Sequence, residues 1–202
     1  MSAIRKPIAA PAFRCGSPLC EGPRRGASSR RPILRCFSPS STRHASSCAK
    51  VPRCTSCGFL AAYQEVLSQS VPVPVITSSL LQAARLAQPG IVTIDAVSLT
   101  PEVLDAAGVP AHTPVQGVEP GCEFQRRILS NDSTLDLRRA EQDVVAAANE
   151  LVAQHPLVTD IVLECTNMPP YRDAVARATG RPVHDIETLL LRASSTHRSR
   201  PT

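Results

Sequence analysis

The sequence predicts an α/β fold in which parallel strands alternate with helices, and three observations carry that expectation. Short β-branched or aliphatic runs at 71–77, 90–94 and 161–163 are separated by stretches with helical periodicity. The run Ile161-Val162-Leu163 has the length and composition of an inner parallel strand. Two strand ends, TSCGFL and ECTNM, run straight into helical sequence, the connection that a parallel sheet with helices on both faces requires.

The elements follow in order from Thr55. Phe59, Leu60, Tyr63, Val66 and Leu67 share one helical face. The segment VPVPVIT reads as a strand, and either Ser78 or Ser79 can cap the helix LLQAARLA. GIVTI is the next strand. Thr100 caps PEVLDAAG, with Pro101 at the first helical position and Gly108 closing it. Leu137, Ala140, Val144, Ala148, Leu151 and Val152 line a long helix that ends near His155-Pro156. After the IVLE strand, Pro169 and Pro170 open a helix, because the first turn needs no donor from them. That helix runs through 171–179, and PVHDI forms a last strand before a final helix.

The charge is divided sharply. Residues 1–54 carry eleven Lys/Arg and one acid, Glu21, a net +10, whereas the remainder carries eleven Arg and sixteen acids, a net −5. The acidic part has no nucleic-acid footprint. No apolar run approaches the roughly 18 residues of a membrane-spanning helix, so neither nucleic acid nor membrane is an expected partner. Five of the eight cysteines lie in the basic segment, and residues 1–30 lack the apolar core of a secretory signal. A reducing compartment, reduced thiols and a cytoplasmic location are therefore expected.

Residues 1–50 form an Arg/Ser/Pro/Cys-rich segment with no sustained period, and disorder is expected there. Three origins compete: a transit peptide, a basic nucleic-acid arm, or a stretch outside the domain's evolved sequence, such as an altered reading frame. The α/β domain spans 51–192, and 193–202 is expected to be a disordered tail of the same texture.

Chemistry is concentrated at the two similar strand ends. Cys57 and Cys165 each sit among Thr, Ser, Asn or Gly just before a helix. A helix amino terminus favours thiolate, and small neighbours leave room for a ligand. Each cysteine alone is more economically read as a buried hydrophobe, so it is the matched pair that points to function.

The blocks TSCGFLAAYQ, VPVPVITSSLLQ, IVTIDAVSLTPEVLDAAGV, IVLECTNMPPY and PVHDIETL, in this order, resemble the aspartate/glutamate racemase family and its hydantoin racemase relatives. The resemblance implies two similar parallel-sheet α/β subdomains facing each other across a cleft, the first one incomplete here. It also implies catalysis without a cofactor, on a small-molecule carboxylate or amino acid. One cysteine thiolate removes the α-proton and the opposite thiol returns one to the other face, which makes Cys57 and Cys165 the catalytic pair. Ser56, Gly58, Thr166 and Asn167 would then hold the substrate carboxylate, and Thr77, Ser78 and Ser79 would line the same cleft. The expected function is a racemase or epimerase. The alternatives are a single-cysteine decarboxylase or cis-trans isomerase, or an inactive truncated remnant. Homo-oligomerisation stays open.

Other candidates rank lower. Cys54-x-x-Cys57 has metal-ligand spacing, but no second such pair answers it, so no metal is expected. His184 is read as packing, Asp95 and Asp185 as caps or cross-links at strand ends, and Cys122 as incidental. The family's first subdomain begins with strand-helix units upstream of its first cysteine, and residues 1–50 show no such pattern. On that ground the strand at 71–77 lacks partners on one side, exposing an edge, and the isolated chain is expected to be unstable and poorly active.

Overall fold

The computed structural model describes residues 53–55 and 58–198. The expected disorder of residues 1–50, and Ser56 and Cys57, lie outside them.

Two parallel sheets organise the chain. The first pairs β1 (Arg53–Cys54) with β2 (Val75–Ile76), Arg53 opposite Val75 and Cys54 opposite Ile76. Between them run a 3-10 helix, Gly58–Tyr63, and α1 (Gln64–Ser70). The second sheet has the order β4-β3-β5-β6, with β3 (Pro89–Thr93), β4 (Val115–Gly117), β5 (Asp160–Leu163) and β6 (Val183–His184), all parallel. A 3-10 helix, Ser79–Arg85, links the sheets, and α2 (Pro101–Ala106) lies between β3 and β4. Then α3 (Glu123–Leu129) and α4 (Leu137–Gln154) cross from β4 to β5, and α5 (Arg172–Thr179) leads to β6. α6 (Ile186–Arg198) follows β6.

Strand periodicity splits the core in two. Ile91 and Val162 face a cluster with Ala61, Leu80, Ala83, Leu99, Ala107 and Val109. Val92, Ile161 and Leu163 face the opposite way, onto Ala140, Val144, Ala148 and Leu151 of α4 and Val175 of α5. Burial on both faces explains why β5 is apolar throughout. The chain leaves β3 toward β4 on one side and β5 toward β6 on the other. The crevice beyond the carboxyl ends of β3 and β5 is therefore the topological switch point, the place where open α/β sheets bind ligands.

The expected α/β order holds, with local departures. The strand expected over 71–77 shrinks to Val75–Ile76, because Pro72 and Pro74 remove ladder donors from its first half. The helix after it is a 3-10 helix, and Ser78 is its cap, accepting from the Leu80 N–H at 3.2 Å. A 3-10 start also rotates the expected face of the first helical segment. Ala61 is fully buried, while Tyr63 and Val66 are exposed. Thr100 precedes α2 without a side-chain cap, and Gly108 takes the left-handed φ of +69° that ends such a turn. Two elements escaped the sequence reading, β4 and α3. α6 continues to Arg198, so the tail expected from residue 193 is helical over its first six residues.

Candidate active site

The site is built where four segments end together. Thr93 closes β3, Glu164 and Cys165 follow β5, Thr77 to Ser79 follow β2, and Thr55 and Gly58 flank the start of the first 3-10 helix. The Ser79 hydroxyl donates to the carbonyl of Leu163 at 2.7 Å and lies 3.3 Å from that of Glu164, tying the two sheets together. Thr55 Oγ1 donates to the Thr77 carbonyl at 2.6 Å, and Thr77 gives both its N–H and its hydroxyl to Gln64 Oε1. Thr77, Ser78 and Ser79 are thus at the expected place, but they are buried and their hydroxyls bind protein groups. Their part is to join strand ends.

Cys165 stands half-buried just beyond β5, packed on the rim of the α4 core. The Met168 N–H donates to its carbonyl at 3.0 Å, closing the turn that leads into the 3-10 helix Pro169–Tyr171. Thr166 is half-buried and Asn167 exposed, with Asn167 Nδ2 3.9 Å from the sulfur, a long N–H···S approach. These three residues follow β5 as the sequence predicts, and α5 proper begins only at Arg172.

Glu164 is the residue the sequence reading passed over. Its side chain is only 1% exposed. Oε2 accepts from Thr93 Oγ1 at 2.8 Å, and Oε1 has no hydrogen-bond partner among the described residues. A Cβ on Gly58 would lie 1.7 Å from that Oε1 and 2.9 Å from the Glu164 carbonyl oxygen. The residue next to Cys57 in sequence and the residue next to Cys165 are therefore pressed together. A carboxylate written directly after an apolar run and directly before a cysteine was the available signal.

Two predictions follow from this contact. Gly58→Ala is expected to destabilise the domain by about 1–3 kcal/mol, since a backbone carbonyl cannot step aside. Urea unfolding measures it, and an unchanged midpoint would refute the close approach. The second concerns pH. Burial pushes the Glu164 carboxyl up from its ordinary value of 4.5, with the Thr93 hydrogen bond opposing. Below that value both folded and unfolded chains hold the proton. Above it the unfolded chain releases the proton while the folded chain retains it, so stability falls as pH rises until the folded value is passed. Glu164→Gln removes this slope. Its melting temperature relative to the parent's should climb as the pH rises above the ordinary carboxyl value of 4.5; a constant gap counts against a raised carboxyl.

The lower-ranked residues are placed as well. Asp95 accepts from the Val97 N–H and the Ser98 hydroxyl beyond β3. Asp185 accepts from Arg172 and from the Thr188 N–H, a cross-link at the end of β6. His184 is 7% exposed with Nε2 2.9 Å from Asp160 Oδ1, so it is paired across β5 and β6. Cys122 is the N-cap of α3, its sulfur accepting from the Gln125 N–H at 3.5 Å. Cys54 is exposed at the end of β1. Among the described residues no helix is long and apolar enough to cross a membrane.

No family model matches the sequence. Among curated proteins it is similar to a dimethylsulfoniopropionate lyase from Durusdinium sp. clade D, 29% identical over 143 residues, covering 65% of this chain and 47% of that protein. Dimethylsulfoniopropionate lyase 5 of Emiliania huxleyi (strain CCMP1516) is 31% identical over 149 residues, covering 66% of this chain and 29% of that protein. Lyase 3 of the same organism is 30% identical over 149 residues, covering 65% and 38%. The chain thus spans less than half the length of these relatives. Among solved structures, allantoin racemase from Pseudomonas fluorescens is 23% identical with a TM-score of 0.49, covering 67% of this chain and 57% of that one. Glutamate racemase from Thermus thermophilus is 15% identical with a TM-score of 0.47, covering 72% and 55%. The fold described above rests on the chain's own strand order and not on these partial likenesses.

Proposed function

We propose that the strand-end junction is the proton-abstraction centre of an enzyme acting on small carboxylates, with Cys165 as a catalytic thiol and Cys57 as its counterpart. The observation that carries this reading is the contact of Gly58 with Glu164, which draws together the segments adjoining both cysteines. Thr166 and Asn167, together with Ser56 and Gly58, would hold the substrate carboxylate, and no cofactor enters the step. A thiolate takes the proton from the carbon next to that carboxylate, and backbone and side-chain donors stabilise the enolate-like charge that develops.

The fate of that carbanion separates two readings. Similarity to three lyases favours β-elimination. On a sulfonium-bearing propionate, the C–H electron pair becomes the carbon–carbon double bond. The C–S bond breaks, and its pair leaves with sulfur as a neutral dialkyl sulfide. The thiol formed then returns its proton to water. Inversion is the second reading, favoured by the two matched cysteine segments; there the opposite thiol delivers a proton to the other face.

The test is incubation in heavy water with dimethylsulfoniopropionate and, separately, with amino acids and hydantoins. Headspace dialkyl sulfide reports elimination, and deuterium at the α-carbon reports abstraction. A folded protein that does neither on any of them sinks the reading. Cys57→Ser then discriminates. Elimination needs one base and is expected to survive toward at least one substrate, whereas inversion needs both thiols and is expected to disappear.

A further inference from the structure

We propose that Glu164 is a positioning residue of this site, the spacer that fixes how closely the Gly58 turn approaches the segment carrying Cys165. The inference rests on the junction being a cysteine-based proton-transfer site. Glu164 is 1% exposed, and no ion pair reaches it among the described residues. Thr93 tethers one carboxyl oxygen at 2.8 Å, while the other ends against Gly58 without a partner among the described residues. A leucine could fill such a place without stranding a polar atom, whereas a buried carboxyl oxygen left unpaired is costly.

Geometry gives that cost a use. Glycine at 58 leaves the space that the carboxyl occupies, and the carboxyl occupies it up to the backbone, so the two residues set the gap between the sheets' ends together. The tether matters equally, because Thr93 ends β3 at the switch point and holds the spacer in register with both central strands. Burial without a counter-ion also raises the proton affinity of the group, with the Thr93 hydrogen bond opposing.

The experiment compares Glu164→Asp, shorter by one methylene, with Glu164→Gln, of unchanged length and permanently neutral, in the full chain. The first readout needs no substrate and is the rate of Cys165 alkylation by iodoacetamide, resolved by peptide mass spectrometry. With Asp the turn closes toward the thiol, and alkylation is expected to slow about tenfold; with Gln the rate is expected to return to within about threefold of the parent's. In turnover, Asp should lower kcat by about 10- to 100-fold with little change in KM, and Gln should rescue most of it. Should the Asp variant fail to fold, Thr93→Val frees the same carboxyl at unchanged length and is expected to slow alkylation by about threefold. Equal alkylation rates in the parent and in Asp or Thr93→Val overturn the spacer, as does a Gln variant as impaired as Asp. A parent that exchanges no α-proton with any substrate would defeat the functional reading instead, and the alkylation series would still decide the spacer.

Discussion

Replacement of Cys165 by serine is expected to lower α-proton exchange and elimination by about 10²- to 10⁴-fold, the usual contribution of a positioned general base. A serine hydroxyl is far too weakly acidic to supply an anion near neutral pH, whereas a thiol titrates within a few units of it. The loss should be chemical and not structural. Cys165 is half-buried and packs on the rim of the α4 core, so exchanging sulfur for oxygen is expected to cost on the order of 1 kcal/mol or less. Circular dichroism melts of parent and variant should therefore nearly coincide while deuterium incorporation disappears. A folded Cys165→Ser protein that keeps more than about a tenth of the parent rate would remove Cys165 from the mechanism. Cys122→Ser is the informative control, because that thiol caps α3.

Much of this site was legible in the sequence, for identifiable reasons. Strand β5 announced itself because a strand buried on both faces is written in consecutive apolar residues. Its end was marked by the change to Cys165-Thr166-Asn167. β4 was not legible. It has three residues, each half-buried, lies at the sheet's edge and ends at Gly117, where a Cβ would sit 3.0 Å from the Ala96 nitrogen. Nothing in so short a run distinguishes a strand from a loop. α3 was missed because its cap is a cysteine, which no capping preference flags, and because seven residues give too few turns for a periodic signal. The role of Glu164 was hidden for a different reason. Its meaning depends on Gly58 and Thr93, which are 106 and 71 residues away in sequence; the parallel register of β3 and β5 brings Thr93 to it, and the packing of the first 3-10 helix brings Gly58. Thr77, Ser78 and Ser79 were legible as residues of the junction but not as to direction, since a hydroxyl that binds protein and one that binds a ligand look alike in sequence.

The largest stability effect is expected at the far end of the same sheet. Asp185 follows β6 with no solvent exposure, and its two carboxyl oxygens are divided between Arg172 Nη1, at 2.7 Å, and the Thr188 N–H, at 2.9 Å. Gln82 Nε2 donates to the Asp185 carbonyl at 2.8 Å, so this residue also fastens the Ser79–Arg85 helix to the start of α6. Arg172→Met keeps the aliphatic stem and removes the cation, leaving a buried carboxylate with half of its partners. The expected cost is about 3 kcal/mol, the low end for a broken buried pair. The discount reflects the guanidinium, whose side chain keeps 29% of its surface in water, and whose bridge to exposed Glu187 adds little. Asp185→Asn in the Arg172→Met background should recover part of the loss, because the stranded charge is then gone, and the double-mutant cycle isolates the pair from the packing of the stem. Chemical denaturation of the four proteins measures the coupling. A cost below about 1 kcal/mol for Arg172→Met, or strict additivity with Asp185→Asn, would mean that the ion pair does not hold β6 and α5 together and that the Gln82 and Thr188 hydrogen bonds carry this corner of the fold.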